Sequence, residues 1–140
     1  MAKVDKIEDI VVWQLAIELT NAIYTITNNN VFNKDFALRD QIRKSAISIP
    51  SNIAEGFERN STNQFLYFLV IAKGSVGELR TQLLIAKNQN YISQSEFEKI
   101  NKDALEVSKK LGAFITYLKE FKLKKSQNLK QSQNIKPLQP

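Results

Sequence analysis

Glu55 and Glu78 are the side chains with the best claim to acid–base chemistry, one in a polar run and one in a mostly apolar segment. They have few helpers. The chain holds no histidine and no cysteine, which removes the commonest general base, the commonest zinc ligand, thiol nucleophiles and disulfides together. A di-metal centre in a helical bundle would need Glu-x-x-His pairs, and none exists. Gly74-Ser75-Val76-Gly77 lies inside a helical pattern rather than ahead of one, so it is no phosphate loop. Glu55 precedes Arg59 by four residues, and an ion pair is its more economical role. The residues predict a protein that is not an enzyme, with no metal and no cofactor.

Basic residues are the next candidates. Lys73, Arg80 and Lys87 recur every seven positions, a row that drifts only about 20° per heptad along a helix. Lys102 and Lys109 repeat the spacing further on. Such rows can track a phosphate backbone, although an ordinary solvated helix face is the plainer reading. No aromatic ribonucleoprotein motif, zinc finger or helix-turn-helix accompanies them.

The elements that must carry these residues are helices. Only four glycines and three prolines occur in 140 residues, which favours long helices over many short strands. The first helix is predicted at about 9–27, where Val12, Leu15, Ala16, Leu19, Ala22, Ile23 and Ile26 form one face. Ile10, Trp13, Ile17 and Tyr24 form a second row. The second helix is predicted over 35–57, with Leu38, Ile42, Ala46, Ile49, Ile53 and Phe57 as its core stripe. Pro50 falls inside that stripe and predicts a kink near residues 46–50. Ser61-Thr62-Asn63-Gln64 reads as a capping box opening a third helix that reaches Asn88. Its core face is Phe65, Phe68, Leu69, Ala72, Val76, Leu79, Leu83 and Ala86. Tyr67, Val70, Gly74, Gly77, Thr81 and Ile85 make a second face, and its two glycines suit the close crossing of another helix. A second box, Ser93-Gln94-Ser95-Glu96, opens a fourth helix with an unbroken heptad seam from Phe97 to Phe121.

This pattern is all-α: an antiparallel up-down four-helix bundle over residues 1–123, then a disordered Lys/Gln/Asn-rich tail over 124–140. No segment has the apolar run of a signal peptide or a membrane span, so a cytoplasmic protein without membrane contact is expected. One bundle has one central seam, so two apolar faces on the first and third helices predict a homo-oligomer. Its expected interface is Trp13, Ile17, Tyr24, Val70, Gly74 and Gly77.

Three stretches, 12–16, 41–56 and 65–83, carry a resemblance. With Ser48-Ile49-Pro50-Ser51-Asn52-Ile53-Ala54-Glu55-Gly56 at their centre, they resemble the four-helix bundle proteins encoded in 23S rRNA intervening sequences, over about residues 9–92. The chain departs from that pattern at Phe32-Asn33-Lys34-Asp35, where a Phe-Pro pair and a Glu are usual. It departs again at Gln89-Asn90-Tyr91, where Leu-Gly before Tyr is common. The family is similar in fold to the accessory variability determinant of diversity-generating retroelements. That resemblance implies a homopentamer that binds nucleic acid, RNA or DNA, and a reverse-transcriptase-like partner. Arg43, Asn52, Glu55, Gly74 and Glu78 match the motif. With Arg59, the polar residues Arg43, Asn52, Glu55 and Glu78 suit a network that fixes helix register.

Two functions follow as expectations. One is a nucleic-acid-binding accessory oligomer using Arg43, Lys44, Lys73, Arg80, Lys87, Lys122, Lys124 and Lys125. The other is a protein–protein scaffold with no nucleic-acid role, its partner seated on the Trp13 row or in the pore of a ring. The charge divides unevenly. Of the net +6, the first 121 residues hold fifteen basic and fourteen acidic groups, and five lysines with no acid follow.

Overall fold

The computed structural model describes residues 4–135, with side chains as far as Gln131. Four helices follow one another: α1 (Val11–Thr27), α2 (Phe36–Glu58), α3 (Thr62–Asn88) and α4 (Gln94–Ile135). Short 3-10 turns at Ile7–Asp9 and Phe32–Lys34 precede α1 and α2. Each helix packs on the next, and α4 closes against α1. The connections are short, so neighbours run antiparallel, as expected of an up-down bundle.

The helix boundaries have local causes. The Asp35 carboxylate accepts from the Leu38 amide at 3.1 Å and caps α2. Ser61 accepts from the Gln64 amide and caps α3, while Ser93 and Glu96 exchange both bonds of a complete capping box at α4. Asn60 and Asn90 end the preceding helices with φ of 59° and 62°, the left-handed conformation that asparagine tolerates better than most residues. Asn90 therefore does the work of the glycine common at this point in the resembling proteins.

The core is one cluster. Ala16, Ile23, Ile42, Ala46, Ile49, Ile53, Leu69, Ala72, Val76, Leu79, Leu83, Ala104 and Leu111 are fully enclosed, and they are the residues that the helical spacing selects. Phe57, Phe65 and Phe114 close one end, with ring centroids 6.1 Å and 5.2 Å apart. Phe32 and Tyr91, 5.3 Å apart, close the other.

Pro50 lies inside α2 and is buried, and the helix continues through it to Glu58. Proline has no N–H, so the Ala46 carbonyl four residues earlier loses its helical donor. The Thr20 hydroxyl of α1 answers it: Thr20 Oγ1 lies 3.1 Å from Ala46 O and 2.8 Å from Ala16 O, sharing one proton. Thr20→Val strands that buried carbonyl and should lower stability by about 1–2 kcal/mol. Urea denaturation checks it against Thr25→Val, whose hydroxyl bonds only within its own exposed turn; equal midpoints for the two variants would remove the role.

The last helix departs from the expectation. Instead of ending near Leu123, α4 continues to Ile135, so residues 124–135 are helical rather than unstructured; residues 136–140 lie outside the described residues. Lys, Gln and Leu are good helix formers, and the bundle has already nucleated the helix. The packed part of α4 ends before the expected seam does: Leu118 is the last buried residue, and Lys119–Gln131, Phe121 included, are all exposed.

Candidate functional site

The block Ser48–Gly56 explains itself as a packing element. Ser48 Oγ and Ser75 Oγ meet at 2.9 Å across the α2–α3 seam, and the Asn52 amide donates to Ser48 O and Oγ at 2.7 and 2.9 Å. Ile49 and Ile53 are core, and Gly56 is buried against α3. A β-carbon at Gly56 would lie 2.8 Å from Phe68 Cβ and 3.2 Å from Phe65 Cα. Small and polar residues thus let α2 and α3 approach closely, and the hydroxyls and amide satisfy one another there.

The five residues expected to form one polar network do not. Arg43 Nε donates to Thr27 Oγ1 at 2.8 Å and its Nη2 to Asn28 Oδ1 at 2.9 Å, with the guanidinium 4.6 Å from the Tyr24 ring centre. Asn52 belongs to the serine pair. Glu55 holds Arg59 at 2.6 Å on the surface, and Arg59 lies over Phe68. Glu78 is exposed on α3. Three local clusters replace the single network because the five residues fall on different flanks of α2 and α3.

The same placement separates the two carboxylates. Ser48 opposite Ser75 and Gly56 opposite Phe68 fix the antiparallel register. Glu78 then lies about 15 Å along the axis from the level of Glu55, at 1.5 Å per residue. They are too far apart to act on one bond. Among the described residues no His/Cys/Asp/Glu cluster is arranged to hold a metal ion. A recess of about 180 Å³ between α1 and α4 is rimmed by Glu18, Lys99, Asp103 and Glu106. Lys99 there faces Asp103 at 3.9 Å, and Lys110 faces Glu106 at 3.5 Å, both exposed pairs along α4.

The basic residues separate into spent and available groups. Arg43, expected to meet nucleic acid, is instead a tie between α2 and the end of α1. Lys44 is exposed on α2. Lys73, Arg80 and Lys87 follow the α3–α4 groove: the Lys73 stem passes Gly112, Arg80 Nε donates to Asn101 Oδ1 at 3.0 Å, and Lys87 Nζ sits 5.3 Å from the Phe97 ring centre. Only Arg80 spends a hydrogen bond, and the row remains a line of positive charge at the surface. Lys122, Lys124 and Lys125 stand on the projecting part of α4.

The two candidate interface rows also part company. Ile10 is buried, Trp13 packs against the core and Ile17 is half-buried. Only Tyr24 is exposed, and Arg43 covers its ring. This row runs along the flank of α1 that meets α2, where Thr20 reaches Ala46; it completes the monomer's core instead of a free face. The α3 row is different. Tyr67 is 62% exposed, Val70 55%, Leu84 45% and Ile85 43%. A β-carbon at Gly74 or Gly77 would meet nothing within 4 Å. Among the described residues no helix of this chain crosses at the two glycines.

A cluster that the sequence reading missed joins the loops at one end. Asn29 Nδ2 donates to Ile26 O and Tyr91 O, and Asn29 Oδ1 accepts from the Val31 and Phe32 amides. Tyr91 Oη donates to Asp35 Oδ2 at 2.9 Å, and that hydrogen bond, with burial and the Asp35 charge, raises the phenol above its ordinary value near 10. The fold holds the protonated phenol, so this contribution is present below pH 10 and is lost as pH rises through the folded-state value. Urea midpoints should therefore favour the wild type over Tyr91→Phe at pH 9, and that advantage should shrink as pH rises past the ordinary phenol value; a constant difference would contradict the pairing.

An antiparallel bundle knit by a small-residue α2–α3 seam, with a basic groove and a bare α3 face, defines the class. The chain belongs to the 23S rRNA-intervening sequence protein family, whose model matches residues 8–113. It is also similar to the crystal structure of a protein of unknown function from the S23 ribosomal protein family of Bacteroides thetaiotaomicron, with 30% identity and a TM-score of 0.69 over 75% of this chain and 98% of that one. No curated protein matches. Among the described residues no helix is long and apolar enough to cross a membrane.

Proposed function

We propose that the protein is a non-enzymatic homo-oligomer, assembled through the outer face of α3, that carries nucleic acid on its basic surface. The observation that carries this reading is the α3 face itself. Two mid-helix glycines each lower helix stability by about 1 kcal/mol relative to alanine, and no neighbour in the monomer gives a reason for them. A helix of a second copy crossing there supplies the reason, because glycine lets two backbones approach. The exposed Tyr67, Val70, Leu84 and Ile85 are the apolar surface that such a crossing would cover. If α3 of one copy crosses a different face of the next, a rotation that closes gives a ring, and the family resemblance gives five as its number.

The Lys73/Arg80/Lys87 row supports the nucleic-acid half, and the family's link to 23S rRNA intervening sequences makes structured RNA the first ligand to test. Replacing all three by glutamine should weaken RNA binding at least tenfold and flatten its dependence on salt, while sedimentation stays that of the wild type. Unchanged binding would remove the row from the interface. A scaffold docked on Trp13 has less support, since that side chain packs in the monomer.

A further inference from the structure

The most conspicuous unused feature is the end of α4. It projects about 25 Å past Leu118, the last residue packed in the bundle. The family match stops at residue 113, so the projection lies outside what the family model describes. Nothing in the fold requires it. Its side chains from Lys119 to Gln131 are all exposed, and Ser126 and Asn128 are poor helix formers. Lys122 and Lys125, one turn apart, repel each other. A short solvated helix of this kind is marginal by itself, and a polyanion that neutralises its lysines would favour it.

The side chains select the kind of polyanion. Lys119, Lys122, Lys124, Lys125 and Lys130 are all exposed, and no acid follows Glu120. At about 100° per residue these lysines surround the helix instead of lining one side. The apolar residues are split as well: Phe121 and Leu123, 46% and 60% exposed, point to nearly opposite sides. A helix that lies in a lipid headgroup layer needs one apolar face and one basic face, and this one has neither. What it offers is a ring of phosphate contacts around an aromatic platform. Tyr117 and Phe121 stack with centroids 6.5 Å apart and planes 23° apart, at the point where the lysines begin. Unpaired bases stack on such rings while lysines hold the backbone.

We propose that α4 beyond Leu118 is an arm for single-stranded nucleic acid, with Lys119, Lys122, Lys124, Lys125 and Lys130 on the phosphates and Phe121, backed by the half-buried Tyr117, against the bases. This deepens the proposed function and rests on it for the presence of nucleic acid. The arm and the α3–α4 groove are separate surfaces. In an oligomer the arms act together, so weak single contacts add as avidity.

The test uses the full chain and a labelled oligouridylate, with a perfect RNA duplex and phosphatidylserine vesicles as competitors. Wild-type protein should bind the single strand with a slope of log K on log salt of about −3 from the arm alone. Converting Lys122, Lys124, Lys125 and Lys130 to glutamine should lower affinity at least tenfold and remove most of that slope. Phe121→Ala should lower affinity about tenfold and leave the slope unchanged. Circular dichroism should show helix gained by wild type, but not by the lysine variant, on adding the oligonucleotide. Wild-type affinity in the lysine variant, or preference for vesicles or duplex over the single strand, overturns the arm. If the arm variant binds normally while the Lys73/Arg80/Lys87 variant fails, the arm falls and the proposed function stands. If the wild type binds no nucleic acid, both fall.

Discussion

Gly56→Leu should lower the stability of the bundle by about 3 kcal/mol, at the upper end of what overpacking costs. Even the first added carbon would stand 2.8 Å from Phe68 Cβ and 3.2 Å from the α3 backbone at Phe65. That backbone cannot rotate aside as the end of a side chain can. The helices would have to separate, opening the Ser48–Ser75–Asn52 hydrogen bonds one and two turns away. Urea unfolding reads the result directly. A midpoint within error of the wild type would show that α2 and α3 do not meet as described.

The opposite outcome is expected at the other two glycines. Gly74→Gln with Gly77→Gln meets no obstacle in the monomer and should stabilise the helix by up to roughly 1 kcal/mol at each position. In the assembly the same side chains fill the space where a second copy crosses, and association should weaken at least a hundredfold, about 3 kcal/mol. A more stable monomer that no longer assembles is the signature of glycine kept for an interface. Sedimentation of the double variant beside its urea midpoint reads both halves. Assembly as in the wild type, with the same gain in stability, would leave the α3 face without its assigned role.

Much of the architecture was legible because it is periodic. Helical spacing picked out the core residues of all four helices, and the capping boxes at Ser61 and Ser93 placed two starts within a residue. The Glu55–Arg59 pair followed from its spacing. What escaped was the choice of neighbour. Spacing gives the angle of Trp13 and Ile17 on α1, roughly a quarter turn or more from the core stripe, but not that α2 lies along that flank. The partner of Pro50 was hidden for a like reason: the loss of a donor at Ala46 can be read from the sequence, whereas Thr20 as its replacement needs the α1–α2 register. Arg43 looked free because its acceptors, Thr27 and Asn28, lie on another helix end. At α4 the heptad pattern runs to Phe121, one turn past the last buried residue, Leu118, and the loss of apolar residues does not by itself end a helix of Lys, Gln and Leu.

The same distinction separates the candidate surfaces. Trp13 and Gly74 were equally plausible interface residues in the sequence, and the fold occupies the first while leaving the second bare. The distinctive Ser48–Gly56 block supports α2–α3 packing, so its residues have a place in the architecture. Assembly through α3 is accordingly the claim on which the proposed function depends. Sedimentation equilibrium of the full wild-type chain at micromolar concentration tests it most directly. The account predicts a single species several times the 16.0 kDa mass of one chain; a stable monomer would contradict it.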